Sequence, residues 1–364
     1  MRKYKITCTI IGIAACLATG FMLLNWMAVV TVSGGTEDYS SIDYKAVKSF
    51  YNEKNDSLDG VFIGSSAVYR FWNAPMAYED YGMCVYGLAT NVQPIPMAKG
   101  LLMEAAERQG RLKFAVIEIR NISKYSGSFE VTNAKSVTDA MPLLSANRLD
   151  AINSYIDYCE ALESPVDKTP GDYYLPMFRE KGSWLKDFSI DRVRESCNYD
   201  NGVFKGFRPS FAVAVQEDAQ NDLHEEELLE CKQNLLDDLL KAADECEFDV
   251  IFVAAPITDF PYRVGIVNSA CKYLQERGAT VLNFNDKALR DELELDFDSD
   301  FYDGRHVNVG GAEKYTKYMS KYLADRYDLL DHRSQEGYES WDEALEEYND
   351  YIKDYNGNNE KNNN

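Results

Sequence analysis

The dominant pattern along the chain is an unbroken apolar run near its start, where no charged residue occurs from Ile6 to Val32. At ~1.5 Å per residue this run makes roughly 40 Å of helix, enough to cross a hydrocarbon layer of ~30 Å with room to tilt. It predicts a transmembrane helix. Arg2, Lys3 and Lys5 precede the run and Glu37 and Asp38 follow it, so the positive flank places the N-terminus in the cytoplasm and everything after Thr36 outside. The competing reading is a cleaved secretory signal, but the apolar region of such a signal is usually only ~7–15 residues. Ile13-Ala14-Ala15-Cys16 would suit lipoprotein processing, yet cleavage there leaves Leu17 to Val32 as a second apolar run without a purpose.

Beyond a polar stem at 37–58, short apolar runs bounded by Gly or Asn alternate with longer stretches of helical period, the pattern of an α/β domain. Strands are expected at Gly60 to Gly64, Cys84 to Leu88, Phe114 to Ile119, Val250 to Ala255 and Thr280 to Phe284. Their continuous apolar character is that of buried parallel strands. Helices are expected at about Pro96 to Gln109, Glu225 to Glu245, Arg263 to Gly278 and Gly311 to Tyr327. The segment at about 123–223 interrupts the rhythm and reads as a mostly helical insertion over one end of the sheet, either a substrate wall or a structural subdomain. The domain as a whole spans 59–330, and the acidic 331–364 is expected to form a short amphipathic helix followed by a disordered tail.

Composition changes the picture in two ways. The 364 residues carry 38 Lys and Arg against 60 Asp and Glu, a net charge of −22, which argues against nucleic acid as a partner because that binding depends on cationic side chains displacing counterions. With 45% hydrophobic residues the chain can bury a sizeable core. Six of the eight cysteines lie beyond the anchor, with no C-x-x-C pair and no spacing that selects a pairing.

Candidate chemistry is concentrated in two segments. Val61-Phe62-Ile63-Gly64-Ser65-Ser66 ends an apolar strand in a serine turn at the carboxyl edge of the sheet, where α/β folds bind ligands. On its own it is an ordinary turn. Tyr302-Asp303-Gly304-Arg305-His306-Val307-Asn308-Val309-Gly310-Gly311 precedes the last helix and places an Asp three residues before one of only three histidines. A near-neutral His can take a hydroxyl proton while the Asp holds its other ring nitrogen.

Together these segments resemble the SGNH/GDSL hydrolase superfamily, whose serine block follows the first strand and whose Asp-x-x-His block precedes the last helix. The resemblance covers about 59–121 and 249–327. It implies a three-layer, flavodoxin-like parallel sheet with Ser66 as nucleophile, Ser65 the weaker choice, His306 as base and Asp303 as its orienting partner. Gly87, in Val85-Tyr86-Gly87-Leu88, and Asn121 are implied as oxyanion-hole donors. The family's usual Gly-x-Asn reads Ile119-Arg120-Asn121 here, which leaves Arg120 and Asn91 as alternatives to Asn121. No Gly-x-Ser-x-Gly occurs, His224 lacks a second zinc-spaced His, His332 stands alone, and phosphate or dinucleotide fingerprints are missing. No metal or other cofactor is therefore expected.

The membrane anchor narrows the resemblance to a branch similar to the D-alanine transfer and polysaccharide O-acetyl transfer proteins. It implies acyl transfer to, or hydrolysis from, a cell-envelope glycan or teichoic-acid-like polymer through an acyl-Ser66 intermediate, beside a membrane-bound O-acyltransferase. Tyr173, Tyr174, Phe178 and Trp184 could stack on sugar rings or be core. A non-catalytic membrane-anchored scaffold of an acylation complex is the alternative function.

Overall fold

The computed structural model of the chain describes residues 2–33, 41–124, 128–163, 171–197, 203–217, 224–258 and 260–362. In chain order these form α1 (Arg2–Ser33), α2 (Ser41–Phe50), β1 (Gly60–Gly64), α3 (Ser66–Phe71), α4 (Ala74–Tyr81), β2 (Val85–Ala89), α5 (Met97–Arg108) and β3 (Phe114–Glu118). A 3-10 turn at Arg120–Ser123 leads to α6 (Ser128–Ala140), α7 (Ala146–Ala161), α8 (Gly171–Tyr174), a 3-10 segment at Pro176–Lys186 and α9 (Ile190–Cys197). The chain then returns to the sheet through α10 (Glu230–Glu245), β4 (Asp249–Ala254), α11 (Pro261–Gln275), β5 (Thr280–Asn283) and α12 (Lys287–Asp291). It closes with β6 (Phe301–Asp303), β7 (His306–Val307), α13 (Val309–Arg326) and α14 (Glu339–Asn362).

The five long strands make one parallel sheet in the order β2-β1-β3-β4-β5. Such an order reverses direction between β1 and β3, and ligands of open α/β sheets bind at the carboxyl ends of the strands there. β1, β2 and β3 are buried along their whole length, which is why they read as continuous apolar runs rather than as alternating ones. Helices α3, α4, α13 and α14 pack on one another, and α5, α7, α10 and α11 form a second group. Between β3 and β4 the described residues add helices and no strand to the sheet. There α6 packs on α2 and α7 on α5, so this connection flanks the sheet, and the 3-10 segment lies against α1.

The C-terminal region holds a helix, longer than the short one expected there. α14 is a 24-residue helix that packs on α4, with Trp341 and Tyr348 buried. The Trp341 indole N–H donates to Glu53 at 3.2 Å, and Glu53 is itself paired with Lys205 at 2.8 Å. His332, isolated in sequence, is buried beside Asp59 at 3.2 Å.

Among the described residues one helix, over Thr7–Ser33, is long and apolar enough to cross a membrane. Residues 7–19 and 22–24 are exposed, whereas Asn25, Ala28 to Thr31 and Ser33 are buried against the rest of the protein.

Candidate active site

Ser66 opens α3 directly after β1. The crossing from strand to helix is tight: a Cβ at Gly64 would sit 2.8 Å from Glu118 Cβ and 2.9 Å from a Val68 methyl, so only glycine lets the turn lie against β3. Ser65 is extended and its side chain makes no cap, and Ser66 begins the helix. The first-turn N–H groups of Ser66 and Ala67 have no intrahelical acceptor, as at any helix start.

Asp303 and His306 are brought together by a small antiparallel hairpin in which they are register partners across a Gly304-Arg305 turn. Opposed residues in such a pair bring their side chains into contact, which is the local reason for the Asp-x-x-His spacing. The turn is closed by the Arg305 N–H, which donates to Asp303 Oδ1 at 2.8 Å. Asn308 then caps α13, its Oδ1 accepting from the Gly311 N–H at 3.3 Å while its Nδ2 donates to the Ser299 carbonyl at 2.6 Å. Gly311 is required by packing, since a Cβ there would lie 2.5 Å from the Asp300 carbonyl oxygen.

The structure brings Ser66, His306 and Asp303 into one line. His306 Nε2 is 2.7 Å from Ser66 Oγ, and its Nδ1 is 2.9 Å from both carboxylate oxygens of Asp303. With Asp303 accepting at Nδ1, the tautomer that donates there leaves Nε2 as the acceptor for the serine proton. Burial pushes the His306 pKa down to about 4 and outweighs the hydrogen bond to Asp303, while the charges of Arg120 and Arg305 lower it further. The imidazole is therefore neutral at pH 7. Burial works against ionisation of Asp303, but the hydrogen bonds from His306 and the Arg305 N–H prevail and hold its carboxyl below the usual range.

Ser65 is placed differently. Its Oγ is buried and has no hydrogen-bond partner, so of the two adjacent serines only Ser66 meets the histidine.

The two expected oxyanion donors are committed elsewhere. Gly87 lies mid-strand, opposite Phe62, and its N–H donates to the Lys205 carbonyl at 2.9 Å. Its lack of a side chain serves a close approach by the turn at 204–207, where Gly206 has a positive φ of 94° and a Cβ would fall 2.0 Å from the Gly87 carbonyl oxygen. Asn121 Nδ2 donates to the Gln93 carbonyl at 2.8 Å. Asn91 donates its backbone N–H to Asp43 at 2.9 Å.

Arg120 has a role that inspection of the sequence missed. Its buried guanidinium donates to the carbonyl oxygens of Arg305 and Pro256 at 2.5 and 3.3 Å, and lies 3.7 Å from Glu118. Burial drives Glu118 upward and Arg120 downward from their ordinary pKa values. Tyr302 is a second unanticipated neighbour, its ring parallel to that of His306 at 5.3 Å and itself covered by Arg70 at 5.3 Å. Arg70 is fixed by the Arg208 and Pro209 carbonyls at 2.6 and 3.0 Å, so it is the last part of the β3–β4 connection that borders the triad. Of the four aromatics offered as sugar platforms, Tyr173 and Trp184 are buried core, Tyr174 is half-buried with its hydroxyl donating to Asn153, and Phe178 is exposed on the segment that touches α1. Among the described residues no group of three or more His, Cys, Asp or Glu side chains could hold a metal ion.

Comparison with known proteins returned no matching family model, no matching curated protein and no matching solved structure.

Proposed function

We propose that the protein is a membrane-anchored serine acyltransferase or esterase of SGNH/GDSL type, acting outside the cytoplasm on ester-linked acyl groups such as acetyl or D-alanyl of a cell-envelope glycan or teichoic-acid-like polymer. The observation that carries this reading is the hydrogen-bonded line from Ser66 Oγ through His306 to Asp303, at 2.7 and 2.9 Å. Ser66 Oγ attacks the acyl carbonyl as its proton passes to His306 Nε2, and Asp303 stabilises the imidazolium that forms. The imidazolium then gives that proton to the departing alkoxide, leaving acyl-Ser66. An acceptor hydroxyl then attacks the acyl carbon as His306 takes its proton, and the imidazolium returns that proton to Ser66 Oγ as the acyl–serine bond breaks. A polymer hydroxyl makes this transfer; water makes it hydrolysis. Neither step calls for a metal or organic cofactor.

The helix Thr7–Ser33 supports a membrane anchor, and a membrane-bound O-acyltransferase is the natural supplier of the acyl group. A second reading, a non-catalytic scaffold, draws on the commitment of the Gly87 N–H and Asn121 Nδ2 to Lys205 and Gln93. Labelling separates the two readings. The full chain in detergent, treated with a fluorophosphonate and read by intact mass and peptide mapping, is expected to carry one adduct, at Ser66, lost in Ser66→Ala and His306→Ala. A folded chain that takes no adduct supports the scaffold instead.

A further inference from the structure

We propose that the 3-10 segment Pro176–Lys186 and the start of α9 form a second membrane contact, a collar around the outer end of α1 whose exposed apolar side chains sit in the lipid interface. The proposal rests on the anchor reading above. Its first support is the division of α1. The buried residues from Asn25 onward belong to the folded domain, which leaves outside it, exposed except at half-buried Gly20 and Phe21, the residues from Thr7 to Leu24. Those residues make roughly 27 Å of helix, close to the ~30 Å of a hydrocarbon core. The level of Asn25 is thus the outer boundary of the apolar layer, and Trp26, 46% exposed, stands where interfacial tryptophans gather.

The second support is what meets α1 at that level. Asn25 Oδ1 accepts the Met177 N–H at 3.2 Å, and Asn25 Nδ2 donates to the Phe21 carbonyl at 2.9 Å, so the polar side chain at the boundary is satisfied by the 3-10 segment and its own helix. That segment is held rigid by Trp184, buried, whose indole N–H donates to the Met177 carbonyl at 2.9 Å. Phe178, one residue beyond the contact, is 57% exposed; Leu185 is 58% and Ile190 65% exposed on the same stretch. α9, which Ile190 opens, also packs along α1. Three large apolar side chains bared beside the boundary of a spanning helix, and flanked by exposed Lys186 and Asp187, match an interfacial surface rather than a water-facing one.

A consequence concerns the triad. Asp43, near the start of the helix that follows α1, pairs with Arg208 at 2.9 Å and accepts the Asn91 N–H at the carboxyl end of β2. Arg208 in turn donates its N–H to the Tyr69 carbonyl, one turn from Ser66. The outer end of the anchor and the catalytic edge are therefore tied by neighbouring elements, and the collar would hold that edge near the bilayer, where a membrane-delivered acyl group emerges.

Photocrosslinking tests the collar. Benzoylphenylalanine is placed singly at Leu17, Phe178, Leu185, Ile190 and Leu330 of the full chain, which is reconstituted in phosphatidylcholine–phosphatidylglycerol vesicles, irradiated and read by mass. Phospholipid adducts are expected at Leu17, Phe178, Leu185 and Ile190, with none at Leu330, an equally exposed residue elsewhere. Lipid adducts at Leu17 alone, or crosslinks from the collar positions to a second copy of the protein, overturn the collar and leave the anchor standing. Loss of the Leu17 adduct as well overturns both, while the Ser66 labelling experiment remains independent of either.

Discussion

The Arg120 guanidinium donates to the carbonyl oxygen of Arg305 at 2.5 Å, and so grips the turn that joins Asp303 to His306. It does this from the carboxyl end of β3, beside Glu118 and over the ring of Phe71 at 5.5 Å. A buried cation so placed both fixes the hairpin and disfavours protonation of the imidazole, because its charge is among the causes that lower the His306 pKa. We regard Arg120 as a positioning residue.

Replacing Arg120 with Met is expected to slow fluorophosphonate labelling of Ser66 by roughly ten- to a hundredfold, the range that loosened catalytic geometry commonly produces. It should also move the acid limb of the labelling rate to higher pH. A purely structural role would lower the amount of folded protein without moving that limb. Because the substitution leaves Glu118 buried without its cation, a cost of about 3–5 kcal/mol is expected on denaturant unfolding. The double variant with Glu118→Gln should recover part of the stability while keeping the displaced pH limb.

The pH profile of the native chain is a separate test. Protonated His306 cannot accept the Ser66 proton, and with its pKa at about 4, labelling should persist through pH 5 and be half lost near 4. An ordinary histidine would lose activity near 6.5. The same depression has a stability sign. Below the unfolded value of about 6.5 the unfolded chain binds the proton and the folded one does not, so this contribution is fully present above pH 6.5 and is lost as pH falls towards 4. The loss amounts to about 3 kcal/mol, measurable as the difference between native and His306→Gln unfolding at pH 7 and pH 4. A labelling midpoint near 6.5 would refute the buried, neutral imidazole.

Ser65 and Ser66 should part company on substitution. Ser65 Oγ is buried without a partner, so Ser65→Ala removes a polar group that folding leaves unsatisfied. The expected outcome is labelling at the native rate and stability unchanged or raised by about 1 kcal/mol. Loss of labelling in Ser65→Ala, with the fold intact by circular dichroism, would move the nucleophile assignment.

The parts of this molecule that were legible in sequence are those whose cause is local. β1, β2 and β3 announce themselves because a strand covered on both faces must be apolar throughout. Asp303 and His306 are visible because a two-residue turn makes near neighbours in sequence into partners across a hairpin. Arg120 was not legible in its role: its carbonyl partners lie 136 and 185 residues away, and nothing in Ile119-Arg120-Asn121 reports them. Nor was the reason for Gly87, which depends on Gly206 and the turn around it. α14 was expected as a helix but only a short one, because Trp341, Leu345, Tyr348 and Ile352 make a narrow apolar stripe within a strongly acidic segment.

That stripe predicts a stability effect far from the triad. Trp341 is 2% exposed, lies against Tyr78 with ring centroids 5.6 Å apart, and completes a buried network with Glu53 and Lys205. Trp341→Ala is expected to cost about 3–5 kcal/mol on unfolding, as large aromatic truncations in cores do. Ending the chain at residue 330 should cost more, since it also uncovers Asp59, whose carboxylate holds His332 and accepts the Cys84 N–H at 2.8 Å. Unfolding curves unchanged by either alteration would show that α14 does not belong to the folded unit.

The Gly87–Gly206 contact allows packing and catalysis to be told apart. A Cβ at Gly206 would meet the Gly87 carbonyl oxygen at 2.0 Å and would sit on a backbone of positive φ, whereas a Cβ at Gly87 would meet Gly206 at 3.4 Å, nearly ordinary contact. Gly206→Ala should therefore lose several kcal/mol, through overpacking and backbone strain together. Gly87→Ala should lose about 1–2 kcal/mol at most. Gly87→Ala keeps the backbone N–H that donates to Lys205 and adds only a methyl group, so the Ser66 labelling rate of the folded variant is expected to stay within about twofold of native. A fall of about a hundredfold at unchanged stability would instead mean that the added methyl group intrudes on the space the reacting acyl group occupies, so that Gly87 serves the site by its lack of a side chain as well as the packing against Gly206.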